Sequence, residues 1–177
     1  PVETLMDLLL EGIAKPEIIY GSSEDPLPVT KWRGIVWDES NAITRIFWCY
    51  FPAGGTIAVQ WLPKTLQFLT LSRGKFSGEI DLTGLPDTLL DVSLDENAFC
   101  GSADLTSLPP QLKSLNLKGN DFCGRIDLTR LPTTLINMHL GGNKFEGWTD
   151  FSLLPETMES LDVTYNENLI GDVYVSA

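Results

Sequence analysis

Histidine occurs once in this 177-residue chain, at position 139, and cysteine only three times, at 49, 100 and 123. An odd, small cysteine count provides no secreted-type disulfide framework, and a metal site needs more ligands than these residues offer. Basic residues are also short: 12 Lys and Arg stand against 24 Asp and Glu, a net charge of −12. An acidic surface does not track phosphate backbones or anionic lipids, so nucleic acid is excluded as a partner. No apolar run approaches the length of a membrane span. The chain also lacks a phosphate-binding glycine loop, a nucleophile elbow and a metal-ligand cluster, so no enzyme activity and no cofactor are expected.

What the chain has is repetition. "ENAFCGSADLTSLP" (96–109) returns 23 residues later as "GNDFCGRIDLTRLP" (119–132). Units of equal length abut at 62–84, 85–107, 108–130 and 131–153; a degenerate unit precedes them at 39–61, and an irregular one follows at 154–177. They are numbered here as coils one to six, in chain order. A fixed period of this size means stacked solenoid coils.

Within a unit such as "LKSLNLKGN", Leu115 and Leu117 alternate with polar neighbours, as in a short strand with one buried face. Asn97, Asn120, Asn143 and Asn166 recur at the following turn, and stacked copies predict a buried ladder, interrupted where coil two has Gly74. Phe76, Phe99, Phe122 and Phe145 form an apolar column. Gly78, Gly101, Gly124 and Gly147 follow, where the chain is expected to bend back, with "IDLT" as a second extended segment opposite the first. Neither side has room for a long helix, so the fold class is α/β, mostly β.

This pattern resembles the leucine-rich repeat, L-x-x-L-x-L-x-x-N, over about three quarters of the chain. N-x-F-x-G-x-I is similar to the plant receptor type and to repeats of single-celled eukaryotes, including kinetoplastid-like proteins with "IDLT-x-LP". The resemblance implies a right-handed solenoid or horseshoe with a parallel sheet on its concave face, which binds a protein partner. "KWRGIVWDESNAITRIFW" resembles the W-x-G-V-x-C cap that precedes plant-type repeats, with Trp37 in place of the family's cysteine. That substitution argues against a disulfide-stapled cap and for a cytoplasmic setting, although a chain starting at Pro1 leaves a removed signal peptide open.

Residues 1–38 do not repeat and read as the N-terminal cap that a solenoid needs over its first apolar end. Leu5, Leu9 and Ile13 are at helical spacing, and "WRGIVW" is expected to pair as a strand with coil one. Cys100 and Cys123 share a repeat position, which predicts neighbours about 5 Å apart by strand spacing, bridged or reduced. The C-terminal edge is a further option for self-association.

Outward strand positions define the candidate partner-binding residues: Arg45, Phe47, Tyr50, Phe68, Arg73, Asp91, Asp95, Glu96, Lys113, Lys118, His139 and Tyr165. The first two coils combine aromatics with arginines, a mixture enriched at binding hot spots. Coil three is acidic and is expected to lie beside Lys113 and Lys118; His139 aligns with Asp162, predicting contact between them. Asp81, Asp104, Asp127 and Asp150 form a column read as backbone hydrogen-bonding or solvated rather than calcium-binding. Trp148 should face outward. The functional expectation is a non-enzymatic recognition or scaffolding module. The alternatives are the substrate-recognition part of a larger ubiquitin ligase or a receptor ectodomain fragment.

Overall fold

The computed structural model describes residues 2–172. Two short helices open the chain, α1 (Val2–Leu10) and α2 (Glu17–Tyr20). Twelve strands follow: β1 (Ile35–Trp37), β2 (Ile43–Phe47), β3 (Phe68–Thr70), β4 (Ser77–Glu79), β5 (Asp91–Ser93), β6 (Ala98–Ser102), β7 (Ser114–Asn116), β8 (Asp121–Gly124), β9 (Asn137–His139), β10 (Lys144–Asp150), β11 (Ser160–Asp162) and β12 (Asn168–Asp172). They form two sheets. The concave sheet runs β1-β2-β3-β5-β7-β9-β11, parallel except for the antiparallel β1–β2 pair, and the second runs β12-β10-β8-β6-β4, all parallel.

The leucine columns fill the space between the sheets. Leu69, Val92, Leu115 and Met138 are completely buried at the middle of their strands, and Leu71, Leu94, Leu117 and Leu140 repeat this two residues on. Phe76, Phe99, Phe122 and Phe145 stack with ring centroids 6.2–6.3 Å apart. Each ring is removed from water on both faces by its neighbours, and burial of this kind is the main favourable contribution to the fold.

The asparagine ladder forms as the repeat predicts. Asn120 Nδ2 donates to Leu94 O and Leu117 O at 3.0 Å, while Oδ1 accepts from Phe99 N at 3.0 Å. Asn143 and Asn166 repeat this arrangement. The gap at Gly74 is closed from the next coil, since Gly74 N and Phe76 N both donate to Asn97 Oδ1 at 3.0 Å. A threonine ladder also joins the coils: Thr65, Thr88, Thr134 and Thr157 donate to Ile43 O, Leu66 O, Leu112 O and Leu135 O.

Four expectations are corrected. The second sheet is built from the Phe-x-Gly stretch, and "IDLT" is mainly a turn: Asp81 Oδ1 accepts from Thr83 N at 2.9 Å and from Thr83 Oγ1 at 2.6 Å. Asp104 and Asp127 do the same. A carboxylate that satisfies its own turn ends the ladder locally. The glycines at 78, 101, 124 and 147 have φ of 78–84° inside or at the end of these strands, conformations that admit glycine without steric cost and do not turn the chain back.

Cys100 pairs with Asp121 and Cys123 with Ser102, two residues out of register with each other, and all three cysteines are free thiols. In the cap, α1 buries Met6, Leu9 and Leu10, leaving Leu5 36% exposed and Ile13 buried beyond the helix. Leu9 and Ile13 are thus buried as the spacing predicts, while Met6 takes the place expected for Leu5.

Candidate binding site on the concave face

The concave strands align their outward side chains in columns. One reads Arg45, Phe68, Asp91, Ser114, Asn137 and Ser160; the next reads Phe47, Thr70, Ser93, Asn116, His139 and Asp162. Phe47 is 48% and Tyr50 64% exposed, so the start of the face presents aromatic surface to solvent.

Both arginines lie over aromatic rings. The Arg45 guanidinium sits 4.3 Å from the centroid of Phe68, and that of Arg73 is 5.3 Å from Tyr50, with Arg73 Nη1 donating to Tyr50 Oη at 3.0 Å. Exposed contacts of this kind are worth about 0.5–1 kcal/mol each and hold otherwise flexible side chains in place. Arg33 completes the set, 5.7 Å above Phe51.

Tyr50, Arg73, Glu96, Gly119, Gly142 and Tyr165 occupy one repeat position, and all have φ between 54° and 67°. Their N–H groups, Tyr165 aside, donate to the next coil: Tyr50 to Ser72 O, Arg73 to Asp95 O, Glu96 to Lys118 O, Gly119 to Gly141 O and Gly142 to Thr164 O. This turn therefore requires the left-handed conformation on every coil, which glycine adopts readily and other residues at a cost. Four coils nonetheless carry large or charged side chains there.

Beneath Arg73, Asp95 Oδ1 accepts from Ser72 Oγ and Ser93 Oγ, both at 2.6 Å. Cys49, partly buried nearby, has its thiol pKa raised, first by burial and then by the Asp95 charge. Burial also raises the Asp91 carboxyl, against the opposing influence of Ser114 and the Arg45 charge.

The other expected residues are dispersed. Lys113 precedes β7 and is exposed. Lys118 does not meet the acids of coil three; it reaches in the other direction to Asp162 Oδ2, 3.1 Å away. The acidic coil therefore forms no ion pair with these lysines, because serines occupy Asp95 and coil six offers Lys118 a carboxylate. Asp162 is also held by Thr164 N and Oγ1, and His139 makes no hydrogen bond to it among the described residues, although the two are in register. Tyr165 is 83% exposed on coil six, about 24 Å from Tyr50 by strand spacing.

Trp148 projects from the second sheet, 54% exposed and in register with Ile170, which is 61% exposed. An open cleft of about 690 Å³ lies on the side away from the aromatic strip, lined by Thr56, Gln60, Glu79, Asp81, Thr83 and Asp104 among others. Among the described residues, no three His, Cys, Asp or Glu side chains come together to hold a metal, and no helix is long and apolar enough to cross a membrane.

No protein-family model matches the sequence, and no curated protein matches it. Solved structures do. The LRR ectodomain of the receptor kinase SOBIR1 from Arabidopsis thaliana superposes with a TM-score of 0.75 at 20% identity, covering 97% of this chain and 95% of that one. The Arabidopsis BIR2 ectodomain gives 0.72 at 18% identity, with 96% and 94% covered. The Arabidopsis receptor kinase HAESA, in complex with the peptide hormone IDA and the co-receptor SERK1, gives 0.71 at 19% identity, covering 95% of this chain and 34% of that one. The two-sheet solenoid, its asparagine ladder and these superpositions together identify the fold as that of a leucine-rich-repeat protein.

Proposed function

We propose that this protein is a non-enzymatic recognition module that binds a protein partner on the concave face of its first two coils. The observation carrying this reading is the strip formed by Arg45, Phe47, Phe68, Tyr50 and Arg73: exposed Phe47 and Tyr50 and half-buried Phe68, beside arginines already held by stacking. Side chains fixed before binding lose less entropy on association, which favours affinity. Neighbours of the same fold, such as HAESA with the peptide hormone IDA, bind peptides, which supports a protein or peptide ligand here. A cytoplasmic setting is part of this proposal, on the ground that Trp37 stands where a disulfide-stapled cap would carry cysteine.

Affinity capture from the native cell extract tests this. The intact protein is compared with a variant carrying Arg45→Glu, Phe68→Ala and Arg73→Glu, after equal folding is verified. A partner retained by the first and lost by the second supports the reading; identical partners on both oppose it.

A second reading, a receptor ectodomain, is favoured by the near-complete mutual coverage with SOBIR1. A signal peptide encoded upstream of Pro1 would support it. The self-association considered at the C-terminal edge falls partly on residues 173–177, which lie outside those described.

A further inference from the structure

The chain has five arginines, at 33, 45, 73, 125 and 130, and three of them, Arg33, Arg45 and Arg73, lie over aromatic rings in the cap and first two coils. Among the described residues the ion pairs are Lys118–Asp162 and Lys144–Asp121, so none of these arginines is matched by a carboxylate within ion-pair distance. A protein of net charge −12 thus presents guanidinium groups without a carboxylate in ion-pair contact around its exposed aromatics, the nearest opposing charge on Arg45 being that of Asp91. Asp91, beyond Phe68 in the Arg45 column, and Glu96, which follows Arg73 at the left-handed position, place negative charge on coil three and bound the positive patch there.

Arg45 is at the concave strand of coil one; Arg73 stands at the turn of coil two, five residues after Phe68, the strand partner of Arg45. At about 3.3 Å per extended residue the two positions are at most about 16 Å apart along the strand direction, and closer because the chain leaves the strand at Thr70 and turns at Arg73. Phe47 lies between these levels, and Tyr50 stands level with Arg73 on the adjacent coil.

Resting on the concave-face reading above, we propose that coils one and two bind an extended acidic peptide segment, its carboxylates at Arg45 and Arg73 and an apolar side chain between them against Phe47, with the Tyr50 ring beside Arg73. Guanidinium forks match carboxylates in geometry as well as charge. Arg73, like Tyr50 beside it, is carried at a left-handed position that glycine fills on coils four and five, so both side chains of this contact stand there at a conformational cost.

The test uses a random peptide display library selected on the intact protein. Selected peptides are then measured against Arg45→Glu/Arg73→Glu and Phe47→Ala/Tyr50→Ala variants whose melting curves match the parent. The expected peptides carry two Asp or Glu flanking an apolar residue, bind the charge-reversed variant at least about tenfold more weakly, and regain affinity for it when their acids are replaced by Lys. Neutral or basic peptides that are lost only on Phe47→Ala/Tyr50→Ala overturn the acidic-segment inference and leave the binding face standing. Peptides indifferent to both variants overturn both. No enrichment over an unrelated protein overturns the acidic-segment inference.

Discussion

Lys118 Nζ lies 3.1 Å from Asp162 Oδ2, although the two residues belong to coils four and six. The pair spans coil five because Gly141 there has no side chain; a Cβ built on it would lie 2.8 Å from Asp162 Oδ1. The hydroxyl and N–H of Thr164, followed by the Lys118 ammonium, hold the Asp162 carboxyl down to about 2.

Asp162→Asn therefore has a pH-dependent effect. With its pKa lowered in the folded state, Asp162 contributes stability above its unfolded pKa of about 3.9, and loses that contribution as pH falls through the folded value. The gap in Tm between parent and variant should be constant near neutrality and close between about pH 4 and pH 2. A gap independent of pH over that window would contradict the assignment. Because the pair is solvent-accessible, its neutral-pH contribution is expected to be under about 1 kcal/mol. Gly141→Ala should displace the carboxylate and reproduce most of this effect.

Asn120→Ala leaves the buried Phe99 N–H without a partner and removes one of two amide donors from each of Leu94 O and Leu117 O, which keep Asn97 and Asn143. An unsatisfied buried group costs about 1–3 kcal/mol, so a loss of about 1–3 kcal/mol is expected in urea unfolding. A loss below about 1 kcal/mol would mean that water replaces the ladder.

Phe122→Ala opens a cavity between the rings of Phe99 and Phe145. Denaturant titration should show a loss of about 3–5 kcal/mol. An unchanged midpoint would show that the column is not packed as described.

Glu96→Gly should stabilise the protein by about 0.5–1 kcal/mol, because glycine relieves the left-handed strain while giving back part of the gain as unfolded-chain entropy. A destabilised variant would show that the Glu96 side chain contributes more to the fold than its backbone strain removes.

Much of this architecture was legible because a 23-residue period overlays chemically equivalent positions. The leucine columns, the Asn97–Asn166 ladder, the phenylalanine stack and the pairing of the "IVW" strand with coil one all stand where the sequence predicts them. The second sheet was misplaced because a glycine in the middle of a stretch argues against a strand, whereas here Gly78, Gly101 and Gly147 sit within strands at positive φ.

Two features of the face were hidden for other reasons. The left-handed column is occupied by Tyr50, Arg73, Glu96 and Tyr165 on four coils, and only Gly119 and Gly142, aligned with them, carried a signal in the sequence. The Lys118–Asp162 contact joins residues 44 positions apart and skips a coil, so nearest-neighbour reasoning assigned Lys118 to the acids of coil three. Gly141 in the Lys118 position was the clue. The threonine ladder was visible as "LP-x-T-L" in three units and as "LPETM" in the last, but a short polar residue in a turn does not by itself announce a bond to the preceding coil.

The most direct measurement of the central claim is the Kd of a partner obtained by affinity capture, for the parent protein, Phe47→Ala/Tyr50→Ala and Trp148→Ala. Binding on the concave face predicts affinity at least about tenfold weaker for the first variant and unchanged for the second. Affinity unchanged by the first and lost with Trp148→Ala would contradict the account and move the site to the second sheet.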